Sequence, residues 1–319
     1  MRRFYRRFLS GLILGFLVFL GLILLGDIHQ VGSRLASFQW QYLPIILAGT
    51  LFNYVLRFIK WHYYLGQIGI KDLAILESAR LFVSGFPLAV TPGKVGEALK
   101  GVWLNLVTGT PIARGVTVVI AERISDGLAV LMLSTLGVVA YPQYWPAFAF
   151  ILGSLLLFII LTQLRPLVLS FLGYLERYDK IQRFVHALHE FYDGTHILFR
   201  PRATIIAVSL GTVAWLGEGI AMYFVLVGLG IPQGWTTFSM AVFILSFSTV
   251  IGAVSALPGG LGAAEASISG MLILLMDLPK EIAASATLLI RFATLWFGVG
   301  IGLVFWAFSR DLLTFDTHT

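Results

Sequence analysis

The chain has 319 residues, 58% of them hydrophobic and only 12% charged, with a mean hydropathy of +0.89. Soluble domains average about 45–50% apolar and about 25% charged residues, so a soluble enzyme is excluded and a polytopic membrane protein is indicated. The net charge of +6 sits between apolar segments, which reads as membrane topology and not as nucleic-acid binding, while the lack of cysteine removes disulfides and thiolate metal sites.

The chain opens on Met1-Arg-Arg-Phe-Tyr-Arg-Arg7 and then an apolar stretch, Phe8 to Gly26. That stretch exceeds the about 7–15 residues of a signal-peptide core, and no small-x-small cleavage site follows, so it is read as a first helix. Apolar runs at about 43–65, 115–140, 147–165, 204–229 and 284–308 are each long enough to cross the bilayer as one helix. Two more, about 73–107 and 238–275, are interrupted by Pro92-Gly93 and by Pro258-Gly259-Gly260. Proline and adjacent glycines end a helix, so each of these reads as a helical hairpin, re-entrant or fully crossing, whose irregular backbone must be buried in protein or face a cavity. The expectation is a single all-α integral membrane domain over 1–319, with about six spanning helices and two Pro-Gly-broken hairpins. The polar connection 166–203 carries Phe171, Leu172, Leu175, Ile181, Phe184, Val185, Leu188, Phe191 and Tyr192 at helical spacing, and is predicted to be a cytoplasmic amphipathic segment.

Of the 22 Lys and Arg, thirteen fall in segments that this topology places on one side and two, Arg34 and Lys280, on the other. The bias puts both termini in the cytoplasm. It leaves Arg57, Lys60, Arg80, Lys94, Lys100, Arg123 and Arg291 at membrane depth.

The broken hairpins resemble each other. Pro92-Gly-Lys-Val-Gly96-Glu97-Ala matches Pro258-Gly-Gly-Leu-Gly262 with Glu265-Ala following, Gly69-Ile70 and Gly230-Ile231 precede the two hairpins, and Pro111 and Arg123 stand 168 residues before Pro279 and Arg291. Residues 43–140 and 204–308 are thus predicted to be two repeats that enter from opposite faces, an inverted repeat of the kind that builds alternating-access transporters around a midplane site.

A charge at the bilayer centre costs about 2.5–3.5 kcal/mol on insertion scales, so such residues are functional or paired. Lys94, Glu97 and Lys100 flank the first break, and Glu122, Arg123 and Asp126 follow in the next helix, with Glu218, Glu265 and Arg291 as the second unit's charges. Glu122 and Asp126 share a helix face and need a cation between them, for which Lys94 and Arg291 are the candidates. Pro92, Gly93, Gly96, Pro258, Gly259, Gly260 and Gly262 let backbone N–H groups approach a cavity, and a half-helix N-terminus after each break suits a phosphate or carboxylate. The predicted site takes an anionic headgroup, with Lys94, Glu97, Lys100, Glu122, Arg123, Asp126, Glu265 and Arg291 as its substrate-binding set and a carboxylate able to carry a proton as coupling ion. A structural ion-pair network that only holds the hairpins accounts for the same charges. His186, His189 and Glu190 lack a companion cluster, and no P-loop, HExxH or GxSxG pattern occurs, so no metal and no cofactor is predicted.

Pro92-Gly-Lys-Val-Gly-Glu97-Ala-Leu-Lys100, Glu122-Arg123-Ile-Ser-Asp126 and Pro258-Gly-Gly-Leu-Gly262-Ala-Ala-Glu265 resemble the motifs of the lysylphosphatidylglycerol synthase transmembrane-region family, also called flippase-like. The likeness covers nearly the whole chain. In that family arginines usually stand where this chain has Lys94 and Lys100, so charge is kept while bidentate phosphate recognition is not. Some members join this membrane region to a soluble aminoacyl-transferase domain, which these 319 residues do not contain. The resemblance implies a lipid translocator for an anionic phospholipid, aminoacyl-phospholipid or polyprenyl-linked headgroup. The alternatives are a membrane-embedded lipid-modifying enzyme and an accessory subunit of a partner transferase.

Overall fold

The structure is a computed structural model that describes residues 2–91, 96–138, 145–175 and 182–309. Among the described residues all regular structure is helical, without a strand. The chain begins with α1 (Arg2–Leu25) and α2 (Ile28–Ala36), which meet at 94°. Asp27 makes the corner: its backbone is left-handed at φ 63°, and its carboxylate accepts from the amides of His29 and Gln30, capping α2. The first apolar run ends at Gly26, and nothing in it foretells α2.

The first unit consists of α3 (Leu43–Gln67), α4 (Ile75–Ser84), α5 (Leu99–Thr108) and α6 (Ile112–Val138). Then come α7 (Trp145–Gln163), α8 (Arg165–Leu175) and α9 (Gln182–Leu198). The second unit is α10 (Pro201–Gly228), α11 (Trp235–Val254), α12 (Ala263–Met276), α13 (Lys280–Arg291) and α14 (Phe297–Phe308), with a π-helical turn at Phe292–Trp296 between the last two. Among the described residues, six helical stretches are long and apolar enough to cross a membrane, or seven if the bent α1–α2 pair is one span. The molecule is a multi-pass membrane protein.

The two breaks differ in form. Around the first, α4 and α5 have 10 residues each, about 15 Å at 1.5 Å per residue and so half of a hydrocarbon core of about 30 Å. Around the second, Trp235–Val254 and Pro258–Met276 are each long enough to cross. By length, then, the first hairpin has the dimensions of a re-entrant segment and the second those of two crossing helices. Helix α6 has a span's length, 27 residues, but Glu122, Arg123 and Asp126 in its middle exclude it from the apolar set. Such a helix fits a bilayer only if those charges turn into protein, and Glu122 and Asp126 are buried. The described residues of the predicted amphipathic connection include helices α8 and α9, of which α9 buries Val185, Tyr192 and Leu198 and pairs its Glu190 with Arg114 of α6 at 2.7 Å. Ile181 lies outside the described residues.

The landmarks shared by the two units are shared caps. Helices α3 and α10 each end in a left-handed glycine, Gly69 at φ 96° and Gly230 at φ 91°. In each, the next amide closes the turn, Ile70 onto the Leu65 carbonyl at 3.0 Å and Ile231 onto the Leu226 carbonyl at 3.1 Å. Helices α5 and α12 likewise end in left-handed residues, Gly109 and Asp277, two positions before Pro111 and Pro279.

Two apolar cores flank a polar seam. One is drawn mostly from the first unit, with Trp61, Tyr64, Leu81, Phe82, Trp103 and Leu104, and the other mostly from the second, with Met222, Phe243, Ile244, Met271, Leu272 and Ile290. Helices α3 and α10 join across the seam where Gly49 lies against the Gly217 backbone, so close that a methyl group on Gly217 would meet the Gly49 carbonyl at 3.0 Å. Helix α1 closes the other side. Its Gly11 packs on the Val90 carbonyl and its Gly15 on the Trp296 indole and Leu261, which is where α1 covers both breaks.

Candidate functional site

The two breaks meet inside the protein. A Cβ placed on Gly259 would lie 3.5 Å from Val90 Cγ1, which puts the second break against the first. Beside them opens a cavity of about 150 Å³, walled by Tyr54 and Arg57 of α3, Trp215 and Glu218 of α10, and residues of both broken regions.

Each break stabilises its own backbone. At the first, Thr91 Oγ1 accepts the Gly96 amide at 3.0 Å and donates to the Leu88 carbonyl at 2.6 Å. At the second, Gly259, Gly260 and Gly262 all have positive φ, 61°, 67° and 87°, which side-chain-bearing residues avoid. Glu265, in the first turn of α12, accepts the Gly262 amide at 2.7 Å. The half-helix N-terminus expected to receive a substrate anion is thus occupied by the protein's own carboxylate, because a buried N–H without a partner is costly and Glu265 is within reach.

The same glutamate takes a cation. Arg291 Nε donates to Glu265 Oε1 at 2.5 Å, and its Nη2 to the Gly259 carbonyl at 2.9 Å. In the first unit Arg123 Nε stands 3.3 Å from Glu97 Oε2. Glu97 and Arg123 precede Glu265 and Arg291 by 168 residues each, so both units tie their break to the following helix with one Glu–Arg pair.

Asp126 collects three cations: Lys60 Nζ bonds Oδ1, Arg57 Nε lies 3.4 Å from Oδ2 and Arg123 Nη2 lies 3.7 Å from it. Lys60 has no exposed surface. Lys100 pairs with Glu122 at 3.3 Å, with its ammonium 4.8 Å from the Trp61 ring centroid and 4.9 Å from that of Phe82. The cation that the sequence reading placed between Glu122 and Asp126 is therefore not Arg291, which is engaged at the second break. Lysines on α3 and α5 serve instead, Lys60 at Asp126 and Lys100 at Glu122, because both helices pack on α6. Lys94, the other candidate, lies outside the described residues together with Pro92 and Gly93.

Of the predicted binding set, Glu97, Lys100, Arg123 and Arg291 line the cavity, as do Gly259 and Gly260 of the hinge. Glu122, Asp126 and Glu265 stand behind that wall as partners of its cations. Gly96, Pro258 and Gly262 shape the breaks without lining it. Tyr54, Arg57, Trp215 and Glu218 also line the cavity although none belongs to the predicted set, and of these Arg57 and Glu218 stand in the sequence as charges in apolar runs. Their positions carry a signal: counted back from the capping glycines, Tyr54 and Arg57 before Gly69 correspond to Trp215 and Glu218 before Gly230. The π-turn after Arg291 completes the wall, with Tyr54 Oη donating to its Thr294 carbonyl at 2.9 Å.

Fold and site define a multi-pass helical membrane protein with a charged cavity between two broken helical segments. The chain belongs to the family described as lysylphosphatidylglycerol synthase TM region, whose model matches residues 12–302. It is 24% identical to a UPF0104 membrane protein of Methanothermobacter thermautotrophicus over 96% of this chain and 93% of that one. It is also 24% identical to a UPF0104 membrane protein of Pyrococcus horikoshii, over 80% of this chain and 83% of the relative. A second Methanothermobacter thermautotrophicus protein of the same description matches at 23% over 65% and 67%.

Proposed function

We propose that the protein translocates an anionic phospholipid, an aminoacyl-phospholipid or a polyprenyl-linked headgroup across the cell membrane, with both of its termini in the cytoplasm. The observation that carries this reading is the cavity wall: three guanidiniums, Arg57, Arg123 and Arg291, face one space from both units. A guanidinium has five N–H donors, and the pairings above account for at most two on each, which leaves donors for a phosphate or carboxylate. Family membership supports a lipid-related role. The shared caps, the matching Glu–Arg pairs and the two breaks support an inverted repeat, in which the units rock about the seam while the acyl or prenyl chains stay in the bilayer.

Reconstitution tests this directly. Liposomes holding the protein are given fluorescent phosphatidylglycerol, lysyl-phosphatidylglycerol or a polyprenyl phosphate, and wild type is compared with Glu97→Gln and Arg123→Ala. Movement of at least one of these lipids above protein-free vesicles, reduced in both variants, is expected. No movement of any of them refutes translocation, and conversion of the lipid to a new species establishes an enzyme instead.

A further inference from the structure

We infer that Glu218 is the protonation site that couples headgroup movement to proton movement. This rests on the reading of the cavity as a headgroup site. The side chain lies on α10, lines the cavity and is 4% exposed. Every other carboxylate about the cavity has a cation partner: Glu97 and Asp126 have Arg123, Glu122 has Lys100, and Glu265 has Arg291. Glu218 alone among them makes no hydrogen bond or ion pair with any described residue.

An ionised carboxylate buried without a partner is strongly disfavoured, and such a group takes up a proton instead. Its surroundings decide what the proton then controls. Tyr54 and Arg57 of α3, Arg123 of α6 and Arg291 of α13 share the wall, with Asp126 behind them and Glu97 and Lys100 beside the first break. Helix α11 lines the cavity with Leu245, Thr249, Gly252 and Ala253, none of them titratable, and α9 contributes no lining residue. Among the described residues five basic groups here, Lys60 included, stand against five acidic ones, so protonating Glu218 leaves one net positive charge.

With the proton on, the guanidiniums are short of one counter-charge and take the anionic headgroup. With the proton gone, the Glu218 carboxylate competes with the headgroup for Arg57 and Arg291. Occupancy by anion and by proton therefore rise together, which is the requirement for cotransport. On the entry side a hydronium ion gives its proton to the Glu218 carboxylate, breaking a hydronium O–H bond as the carboxyl O–H forms, and on the exit side the carboxyl O–H breaks and the proton returns to water. Helix α10 also suits the task mechanically, because Gly217, one residue before Glu218, is its close contact with α3, so any rocking across the seam moves this carboxyl relative to Arg57.

The test uses the full chain in phosphatidylcholine vesicles that carry fluorescent phosphatidylglycerol. Lipid movement is measured with and without an imposed pH gradient, and the ratio of the two rates is read so that any overall loss of activity cancels. The wild-type ratio is expected to rise several-fold when the gradient points along the lipid's path. Glu218→Gln should give a ratio of one, and Glu218→Asp should restore part of the response. A wild type that moves lipid at a ratio of one overturns the coupling while leaving translocation intact. A wild type that moves none of phosphatidylglycerol, lysyl-phosphatidylglycerol and a polyprenyl phosphate overturns both. Infrared spectra of wild type and Glu218→Gln provide a readout independent of transport: a carboxylic-acid C=O band present only in wild type at neutral pH is expected. A Glu218 that is carboxylate throughout the pH range overturns the assignment.

Discussion

Arg291 holds the second break closed from the following helix, with its Nε on Glu265 Oε1 at 2.5 Å and its Nη2 on the carbonyl of Gly259 at 2.9 Å. The guanidinium thereby supports both the cap of α12 and the left-handed turn before it. Removing one partner of a buried pair costs about 3–5 kcal/mol, because the other is left uncompensated. Arg291→Ala should accordingly lower the melting temperature in detergent sharply. Arg291→Lys should recover little, since an ammonium cannot reach both acceptors in the geometry of a planar fork. A lysine variant as stable as wild type would show that charge alone is what the site requires.

Lys60 and Asp126 make the corresponding test in the first unit. The lysine is fully enclosed, so Asp126→Asn leaves its charge without its nearest counter-charge. That variant should be destabilised more than the double variant Lys60→Met/Asp126→Asn, in which the unpaired ammonium is also removed. The comparison is made by thermal unfolding of the three proteins. A double variant less stable than Asp126→Asn would mean that the lysine contributes through packing or other partners.

Two glycines 10 residues apart should respond in opposite directions to alanine. At Gly260, φ is 67° and a new Cβ would meet the Gly252 Cα at 3.0 Å. The left-handed strain alone costs about 1–2 kcal/mol, so Gly260→Ala should melt earlier. Gly270 sits within α12 with open space around it, and there alanine should stabilise by up to about 1 kcal/mol through helix propensity.

The chain's lack of cysteine permits a clean topology measurement. Asp72 and Gln233 are exposed, and each lies three residues past its capping glycine. In an inverted repeat these equivalent positions face opposite compartments. Asp72→Cys should label with an impermeant maleimide from the cytoplasmic side and Gln233→Cys from outside. Labelling of both from one side would remove the inversion and, with it, the alternating-access reading.

Much of the fold was legible because the bilayer imposes a simple rule: apolar runs of sufficient length become helices, and Pro-Gly interrupts them. The corner at Asp27 was not, since nothing in Gly26-Asp27 distinguishes a loop from a sharp turn into another helix until the Asp27 carboxylate is seen capping α2. Half of the candidate site was equally visible. Glu97, Arg123, Glu265 and Arg291 announced themselves as charges at matched positions in apolar surroundings. Which charge meets which was hidden, because Lys60 reaches Asp126, and Lys100 reaches Glu122, only through the packing of separate helices.

By itself, then, the sequence determined a helical membrane protein with two broken segments, a pair of matched Glu–Arg positions and an excess of buried charge, because each of these follows from local composition and spacing. Tertiary structure alone decided the rest. It set Glu265 into the helix N-terminus that a substrate anion was expected to fill, and put Lys60 rather than Arg291 against Asp126. It also left Glu218 facing the cavity without a partner. Pairing of charges depends on which helix faces pack together, and packing is a property of the assembled seam, not of any segment that enters it.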